Sequence, residues 1–209
     1  MQMIIKMFND GGTFMWVILA VMAVALAVVI ERFIYLFIYC RWNSYSVVNG
    51  IVTDLERGNV EQVRNAIGKK TAPFFVLLRT AVDRYLSGAN PDRIMEGVEK
   101  VAIHEVPRIS RRLNYLSLLA NISTLMGLLG TILGLQTSFG SMATSDVSQK
   151  ASMLASGTAE AMNTTAFGLV VAISCMVMFT FLNNRHQVLV KEIDQGVAHF
   201  IDTIKEKNR

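Results

Sequence analysis

Apolar residues are concentrated in three long runs that contain no charged residue. The runs cover 11–30, 113–139 and 161–182, which are 20, 27 and 22 residues long. About 20 apolar residues in a helix cross the hydrocarbon core of a bilayer, so each run is long enough to span a membrane. The alternative is a soluble core, but a chain of 209 residues is too short to surround three such helices with polar layers. The pattern therefore predicts three transmembrane helices.

The first run resembles a cleavable signal peptide in one respect. Small residues between Ala23 and Ala27 are typical of cleavage sites. However, the amino end is weakly charged, and the apolar stretch resumes over 33–40 after the pair Glu31-Arg32. These features favour a retained first span over 13–40.

Lys and Arg are distributed unequally among the polar segments. Segment 41–112 carries twelve of them, the connection 140–160 carries one, and the tail 183–209 carries five. Cytoplasmic segments of membrane proteins are enriched in Lys and Arg. The predicted topology has an extracytoplasmic amino terminus at 1–12, spans at 13–40, 113–139 and 161–182, an extracytoplasmic loop at 140–160, a cytoplasmic helical domain at 41–112 and a cytoplasmic helix at 183–209.

The cytoplasmic domain has the signals of helices and none of a sheet. Asn90-Pro91-Asp92 combines a capping residue, a proline at the first helical position and an acid in the first turn. A charged helix over 92–112 is expected to continue straight into the second span, with a kink at Pro107. Another helix is expected over 74–86, and no apolar alternation with period two is sustained. The predicted fold class is an all-α integral membrane protein with three transmembrane helices and long cytoplasmic helical extensions, amino end out and carboxyl end in.

Polar residues within the second span share one face of the helix. Eight positions follow a spacing of three and four residues, and six of them are polar. They are Asn114, Ser117, Asn121, Thr124, Leu128, Thr131, Leu135 and Ser138. Hydrocarbon offers no hydrogen-bond partner, so this polar stripe is expected to face protein or water. The glycines beside it, Gly127, Gly130 and Gly134, allow another helix to approach closely.

The third span carries a similar face of small residues. It contains Ala161, Thr165, Gly168, Ala172 and Cys175, with Glu160 at the outer mouth and Thr164 one turn inward. Two interpretations of both faces stay open. They line a hydrated or partner-facing path, or their hydroxyls and glycines only hold helices together.

Charged residues at the ends of the spans also allow two interpretations. Glu160 either belongs to the path or is an acid favoured at a helix amino end. Glu31 and Arg32 are better explained as an interfacial anchor than as participants in conduction.

Other classes of function lack their chemistry in this sequence. With 52% hydrophobic residues and a net charge of +4, the chain is neither disordered nor a nucleic-acid-binding protein. Its two cysteines and three dispersed histidines form no disulfide framework and no metal-ligand spacing. No phosphate-binding loop, nucleophile elbow or pair of catalytic carboxylates is present, so neither an enzyme nor a cofactor is expected.

No carboxylate or histidine lies in the middle of any span. Hydroxyls line paths for protons or hydrated ions, but a group that titrates at mid-membrane must then come from elsewhere. We therefore expect a partner protein that supplies the ionisable group.

Two motifs resemble those of a known family. Residues 126–135, MGLLGTILGL, are similar to the second-span signature of the ExbB/TolQ/MotA proton-channel family, and residues 157–169, GTAEAMNTTAFGL, to its entry into the third span. Ile30-Glu31-Arg32 at the end of the first span is also typical of that family. The cytoplasmic part, roughly seventy residues long, is small for a flagellar stator, so the ExbB/TolQ subgroup is favoured.

The resemblance implies a function and an assembly. Members form the stator of energy-transducing complexes in the bacterial inner membrane, with a homopentameric ring around two copies of a single-span ExbD/TolR/MotB-like partner that carries a membrane aspartate. The family's pore-lining threonines correspond to Thr131 and Thr165, and its third-span acid to Glu160. We add Thr164, Ser138, Thr124 and Asn121 to the expected ion path, and assign Gly127, Gly130, Gly134 and Gly168 to helix packing.

The resemblance leaves the ion open between H⁺ and Na⁺. It also leaves open which process is driven, whether nutrient uptake, envelope maintenance, gliding or flagellar rotation. The protein that receives the mechanical work is either linked to the outer membrane or part of a rotor. The alternative to a conducting subunit is a non-conducting structural scaffold of the membrane.

The chain departs from the family pattern at two prolines. Ser123-Thr124 stands where Ala-Pro is common, and Ile173-Ser174 stands where the third span commonly has a proline. Loss of both kinks is expected to straighten the helices.

Overall fold

A computed structural model describes residues 12–40, 42–68, 70–143 and 147–207. All regular structure in these ranges is helical, which confirms the predicted all-α class. The helices are α1 (Gly12–Ile34), α2 (Ser44–Glu56), α3 (Val60–Gly68), α4 (Pro73–Leu86), α5 (Pro91–Ser110), α6 (Leu113–Ala143) and α7 (Val147–Lys207), and a π-helical turn (Tyr35–Tyr39) follows α1.

Three helical stretches, which contain α1, α6 and α7, are long and apolar enough to cross a membrane. The predicted number of spans, and their length and apolar composition, are confirmed. Their orientation and the segment boundaries stay predictions, and most of the predicted extracytoplasmic amino terminus lies outside the described residues.

One compact unit contains α1 up to Glu31, α6, and α7 up to Phe181. Its helices expose large apolar side chains in the single chain, such as Leu125 at 63%, Ile132 at 56% and Val170 at 59% exposure. Extended apolar surfaces of this kind mark contact with a membrane or with other subunits.

The other compact unit contains residues 32–111 and α7 from Leu182 onwards. Apolar side chains from α2 to α5 and from α7 form its core. The largest fully buried ones include Phe74, Leu77, Leu78, Ile94 and Phe200. Trp42 stacks on the Phe74 ring, with 5.6 Å between ring centroids. This unit therefore has its own hydrophobic core.

The residues predicted to begin and end helices in this unit lie at the ends of helices in the structure. The Asn90 side chain accepts a hydrogen bond from the Arg93 amide at 2.9 Å, and Pro91 occupies the first turn of α5. Pro73 likewise begins α4, and Gly88 follows its end with φ of +78°. A left-handed residue after a helix is commonly glycine because it has no Cβ.

The predicted straight run from the charged helix into the second span is wrong. Helix α5 passes through Pro107 and ends at Ser110, and Arg112 takes φ of +69°, a left-handed backbone. A non-glycine residue in this region is uncommon and costs energy. Arg112 Nη1 lies 2.6 and 2.7 Å from the two carboxylate oxygens of Glu31. An ion pair at the start of α6 therefore accompanies the break.

The connection predicted as a loop at 140–160 is mostly helical. Helix α6 continues to Ala143 and α7 begins at Val147, while residues 144–146 lie outside the described ranges. Hydroxyls keep bonding within the helices, since Ser141 donates to the Thr137 carbonyl and Thr158 to the Leu154 carbonyl. The loop was predicted because this segment connects two apolar runs, whereas its hydroxyls bond to the helical backbone here. Its extracytoplasmic location stays a prediction.

The two positions that lack the family's prolines lie inside continuous helices. Thr124 Oγ1 donates to the Ala120 carbonyl at 3.2 Å and Ser174 Oγ to the Val170 carbonyl at 2.8 Å. Such bonds to the preceding turn bend a helix slightly. The expected straightening stays a prediction.

Candidate functional site

Helices α6 and α7 are in close contact at Gly127 and Gly168. A Cβ on Gly168 would lie 2.7 Å from the Ser123 carbonyl oxygen and 3.0 Å from the Gly127 Cα. A Cβ on Gly127 would lie 3.3 Å from the Thr165 Cα. A side chain on Gly168 would overlap backbone atoms of α6, so the two backbones are in contact here.

Thr131 and Thr165 join the two helices one turn from this contact. Their Oγ1 atoms are 2.9 Å apart. Thr165 Oγ1 also lies 2.8 Å from the Gly127 carbonyl, and Thr131 Oγ1 lies 2.8 Å from the Leu128 carbonyl and 3.2 Å from that of Gly127. Each hydroxyl carries one hydrogen and rotates to suit its acceptors. Four contacts therefore share two hydrogens, and the pair has more than one donor arrangement.

A cavity of about 410 Å³ with several hydroxyl side chains in its wall lies beside this threonine pair. Gly130 and Thr164, the chain neighbours of Thr131 and Thr165, belong to its wall. The wall carries six hydroxyl side chains and one carboxylate, and it comprises Thr13, Phe14, Gly130, Leu133, Gly134, Thr137, Ser138, Ser141, Met153, Ser156, Glu160 and Thr164. A space of this size is large enough for several water molecules, for which the hydroxyls and Glu160 offer hydrogen-bond partners.

The structure brings most of the predicted path residues together. Glu160, Thr164 and Ser138 share the cavity wall. Thr131 and Thr165 form the adjoining pair.

Asn121 and Thr124 lie elsewhere, on an exposed face of α6. Thr124 donates to the Ala120 carbonyl at 3.2 Å. The polar stripe is therefore divided between a buried part that faces α7 and a part that is exposed in the single chain.

Sequence reasoning missed four hydroxyl residues of the wall, which are Thr13, Thr137, Ser141 and Ser156. Three of them had a detectable signal. Ser141 follows Thr137 by four residues, in a row next to the one that contains Ser138. Ser156 precedes Glu160 by four residues, so it lies on the same face of α7.

Glu31 and Arg32, predicted as an interfacial anchor, have different surroundings. Glu31 is exposed and forms the ion pair with Arg112. Arg32 is buried, and its guanidinium carbon lies 5.2 Å from the centroid of the Tyr35 ring. The pairing across 81 residues was not predicted.

We expect the Glu31–Arg112 pair to show measurable coupling. The single variants Glu31→Arg and Arg112→Glu each place like charges together and should lower the thermal unfolding midpoint. The doubly swapped variant should melt above both of them. Arg111 is a matched control because it is also exposed and carries no ion pair within the described residues. A swap of Glu31 with Arg111 should bring no recovery, and equal recovery in both swaps would contradict the assignment.

A metal site has no support in the described ranges. No group of three or more His, Cys, Asp or Glu side chains within them is arranged to hold an ion.

Comparison with known proteins finds a family model and relatives that agree with one another. The family model described as the MotA/TolQ/ExbB proton channel family matches residues 69–195. An ExbB homologue of Methanothermobacter thermautotrophicus, named for biopolymer transport, is 24% identical over 87% of this chain and 63% of its own length. The biopolymer transport protein ExbB-like 3 of Synechocystis is 35% identical over 58% of this chain and 62% of its own.

The Tol-Pal system protein TolQ of Pseudomonas aeruginosa is 34% identical over 51% of this chain and 48% of its own length. The chain thus spans less than two thirds of each of these relatives. The family model covers more than half of the chain, including the glycine contact and the threonine pair. The chain therefore belongs to the MotA/TolQ/ExbB proton channel family.

Proposed function

We propose that this multi-pass membrane protein is a conducting subunit of an energy-transducing complex that couples proton or sodium flow to mechanical work. The family is one of channels and not of enzymes. The observation that carries the proposal is the hydrogen-bonded pair Thr131–Thr165, which adjoins a cavity lined by hydroxyls and Glu160.

The arrangement suits ion passage for a chemical reason. A hydroxyl donates and accepts at the same time, so a row of hydroxyls replaces water around a proton or a hydrated cation. The cavity supplies hydroxyls and one carboxylate, and the threonine pair continues them between α6 and α7. We place the path from Glu160 and Ser138 past Thr164 to Thr131 and Thr165.

A partner is part of this proposal. No carboxylate or histidine occurs within 113–139 or 161–182, so the group that titrates at mid-membrane must come from another chain. Asn121 and Thr124 are exposed on an apolar helix, where only a polar partner or water would satisfy Asn121. We propose a single-span ExbD/TolR-like partner that presents an aspartate to this face, inside a homopentameric ring of this chain.

The topology of the proposal follows the distribution of basic residues. Segment 41–112 and the tail from 183 lie in the cytoplasm, and the amino terminus and 140–160 lie outside, in the inner membrane of a bacterium. The mechanical output would reach an outer-membrane-linked or a rotor protein.

A non-conducting scaffold is the second candidate, and one observation favours it. Ser123, Thr124 and Ser138 all donate to carbonyls of their own helix. Bonds of this kind satisfy a hydroxyl without any ion path.

Reconstitution separates the two candidates. The chain is co-expressed with a candidate single-span partner that carries one aspartate in its span, and the purified complex is placed in vesicles with a proton or a sodium gradient. We expect flux of one of the two ions, loss of that flux when the partner's membrane aspartate is changed to asparagine, and a ring mass in native mass spectrometry. An assembled complex that carries neither ion would support the scaffold, and a stable monomer would overturn the ring.

A further inference from the structure

A second cavity, of about 340 Å³, lies between α3 and α4. Its wall contains two arginines and one aspartate, and it comprises Arg64, Ile67, Gly68, Arg79, Val82 and Asp83. None of these residues belongs to the proposed ion path. The failure of any inference about this cavity therefore leaves the proposed function untouched.

Arg79 is held in a fixed position at the end of α3. Its Nη2 donates to the Ile67 carbonyl at 3.1 Å and to the Gly68 carbonyl at 2.7 Å. The last carbonyls of a helix have no partner within the helix, so Arg79 satisfies two of them. These two bonds orient the guanidinium and leave its other N–H groups available.

The Nε of Arg79 is buried and has no hydrogen-bond partner among the described residues. A buried donor without an acceptor costs free energy. Native proteins satisfy nearly all such groups with protein, water or ligand. Arg79 is therefore a residue of the cavity wall whose hydrogen bonds are incomplete within the described residues.

The other two charges of the cavity are also unpaired. Arg64 is exposed and forms no ion pair within the described ranges. Asp83 lies one turn after Arg79 on α4, yet it pairs with neither arginine there. The wall therefore carries two positive charges and one negative charge around an open space.

We infer that this cavity binds a phosphate group. Guanidinium groups present planar, charged donors that match the oxygens of phosphate. A phosphate has several terminal oxygens in a tetrahedral arrangement, so it accepts from Arg64 on α3 and from Arg79 on α4 at once. A carboxylate has only two oxygens in one plane and fits one guanidinium best. Asp83 opposes the anion and keeps the binding weak.

Arg64 is the residue to change, because Arg79 also holds α3. Inorganic phosphate is titrated into the purified full chain at constant ionic strength, and the shift of the thermal unfolding midpoint and the ³¹P resonance are recorded. We expect saturable binding that Arg64→Gln weakens about tenfold, the effect of losing one charge-assisted hydrogen bond. Arg57→Gln is the matched control, because Arg57 is an exposed arginine of the same unit outside the cavity. Asp83→Asn should tighten binding roughly threefold by removing a like charge.

A second arm identifies the source of the phosphate. The chain is placed in phosphatidylcholine nanodiscs with and without phosphatidic acid, and retained lipid is measured by native mass spectrometry. Retention of phosphatidic acid that depends on Arg64 would assign a lipid headgroup, and saturable binding of inorganic phosphate alone would assign a free phosphate. If neither probe shows binding that distinguishes Arg64→Gln from Arg57→Gln, water fills the cavity and the inference is overturned.

Discussion

Replacement of both Thr131 and Thr165 by valine is expected to reduce ion flux through the assembled complex by tenfold to a hundredfold or more. Valine keeps the shape of threonine but removes the hydroxyl, so the four contacts of the pair lose both hydrogens. Loss of a hydrogen bond to a charged group costs about 1.5–3 kcal/mol, which corresponds to this range of rates for a passing ion. Flux into vesicles is the measurement, and co-purification of the partner shows that the complex still assembles.

Two control variants make this result interpretable. Thr131→Ser and Thr165→Ser keep a hydroxyl and should retain most of the flux. Thr180→Val removes an exposed hydroxyl of α7 that donates only to the Met176 carbonyl, and it should leave the flux unchanged. A double valine variant that assembles and conducts like the parent would rule out conduction through the pair.

The substitution Gly168→Ala is expected to have the largest effect on stability. Its Cβ would lie 2.7 Å from the Ser123 carbonyl oxygen, and a backbone atom cannot turn aside as a side chain does. Overpacking of this kind costs about 1–3 kcal/mol. We expect a lower unfolding midpoint in detergent. We also expect reduced flux, because moving α6 away from α7 lengthens the bond between Thr131 and Thr165.

Gly140→Ala is the matched control for this variant. Gly140 also lies in α6, but a Cβ there has no heavy atom within 4 Å. Alanine favours a helix over glycine by about 1 kcal/mol, so this variant should be neutral or slightly more stable. If the two alanine variants melt alike, the close contact of α6 and α7 is not present in the folded protein.

The spans were predictable from the sequence because hydropathy over a long window depends on composition alone. The caps at Asn90 and Pro91 were predictable because their physics is local. The spacing of glycines and threonines also indicated a contact face, since helical periodicity places them on one side.

Features that depend on distant residues were not predictable. The break at Arg112 accompanies an ion pair with Glu31, 81 residues away in sequence. The cavity takes Thr13 from α1 together with residues of α6 and α7, and no periodicity within one helix reveals which three helices meet. Segment 140–160 was predicted as a loop because it lies between two apolar runs, and the end of an apolar run does not show how far its helix continues into polar residues.

The shared hydrogens of Thr131 and Thr165 have a consequence for repeated proton transfer. When a proton enters one hydroxyl and another leaves the second, both O–H bonds end up pointing back toward the side from which the proton came. The next proton finds a donor where it needs an acceptor, so both hydroxyls must first turn back. The carbonyls of Gly127 and Leu128 accept these hydrogens during the turn. A proton relay through this pair therefore alternates between a transfer and a reset, and the reset sets an upper limit on its turnover.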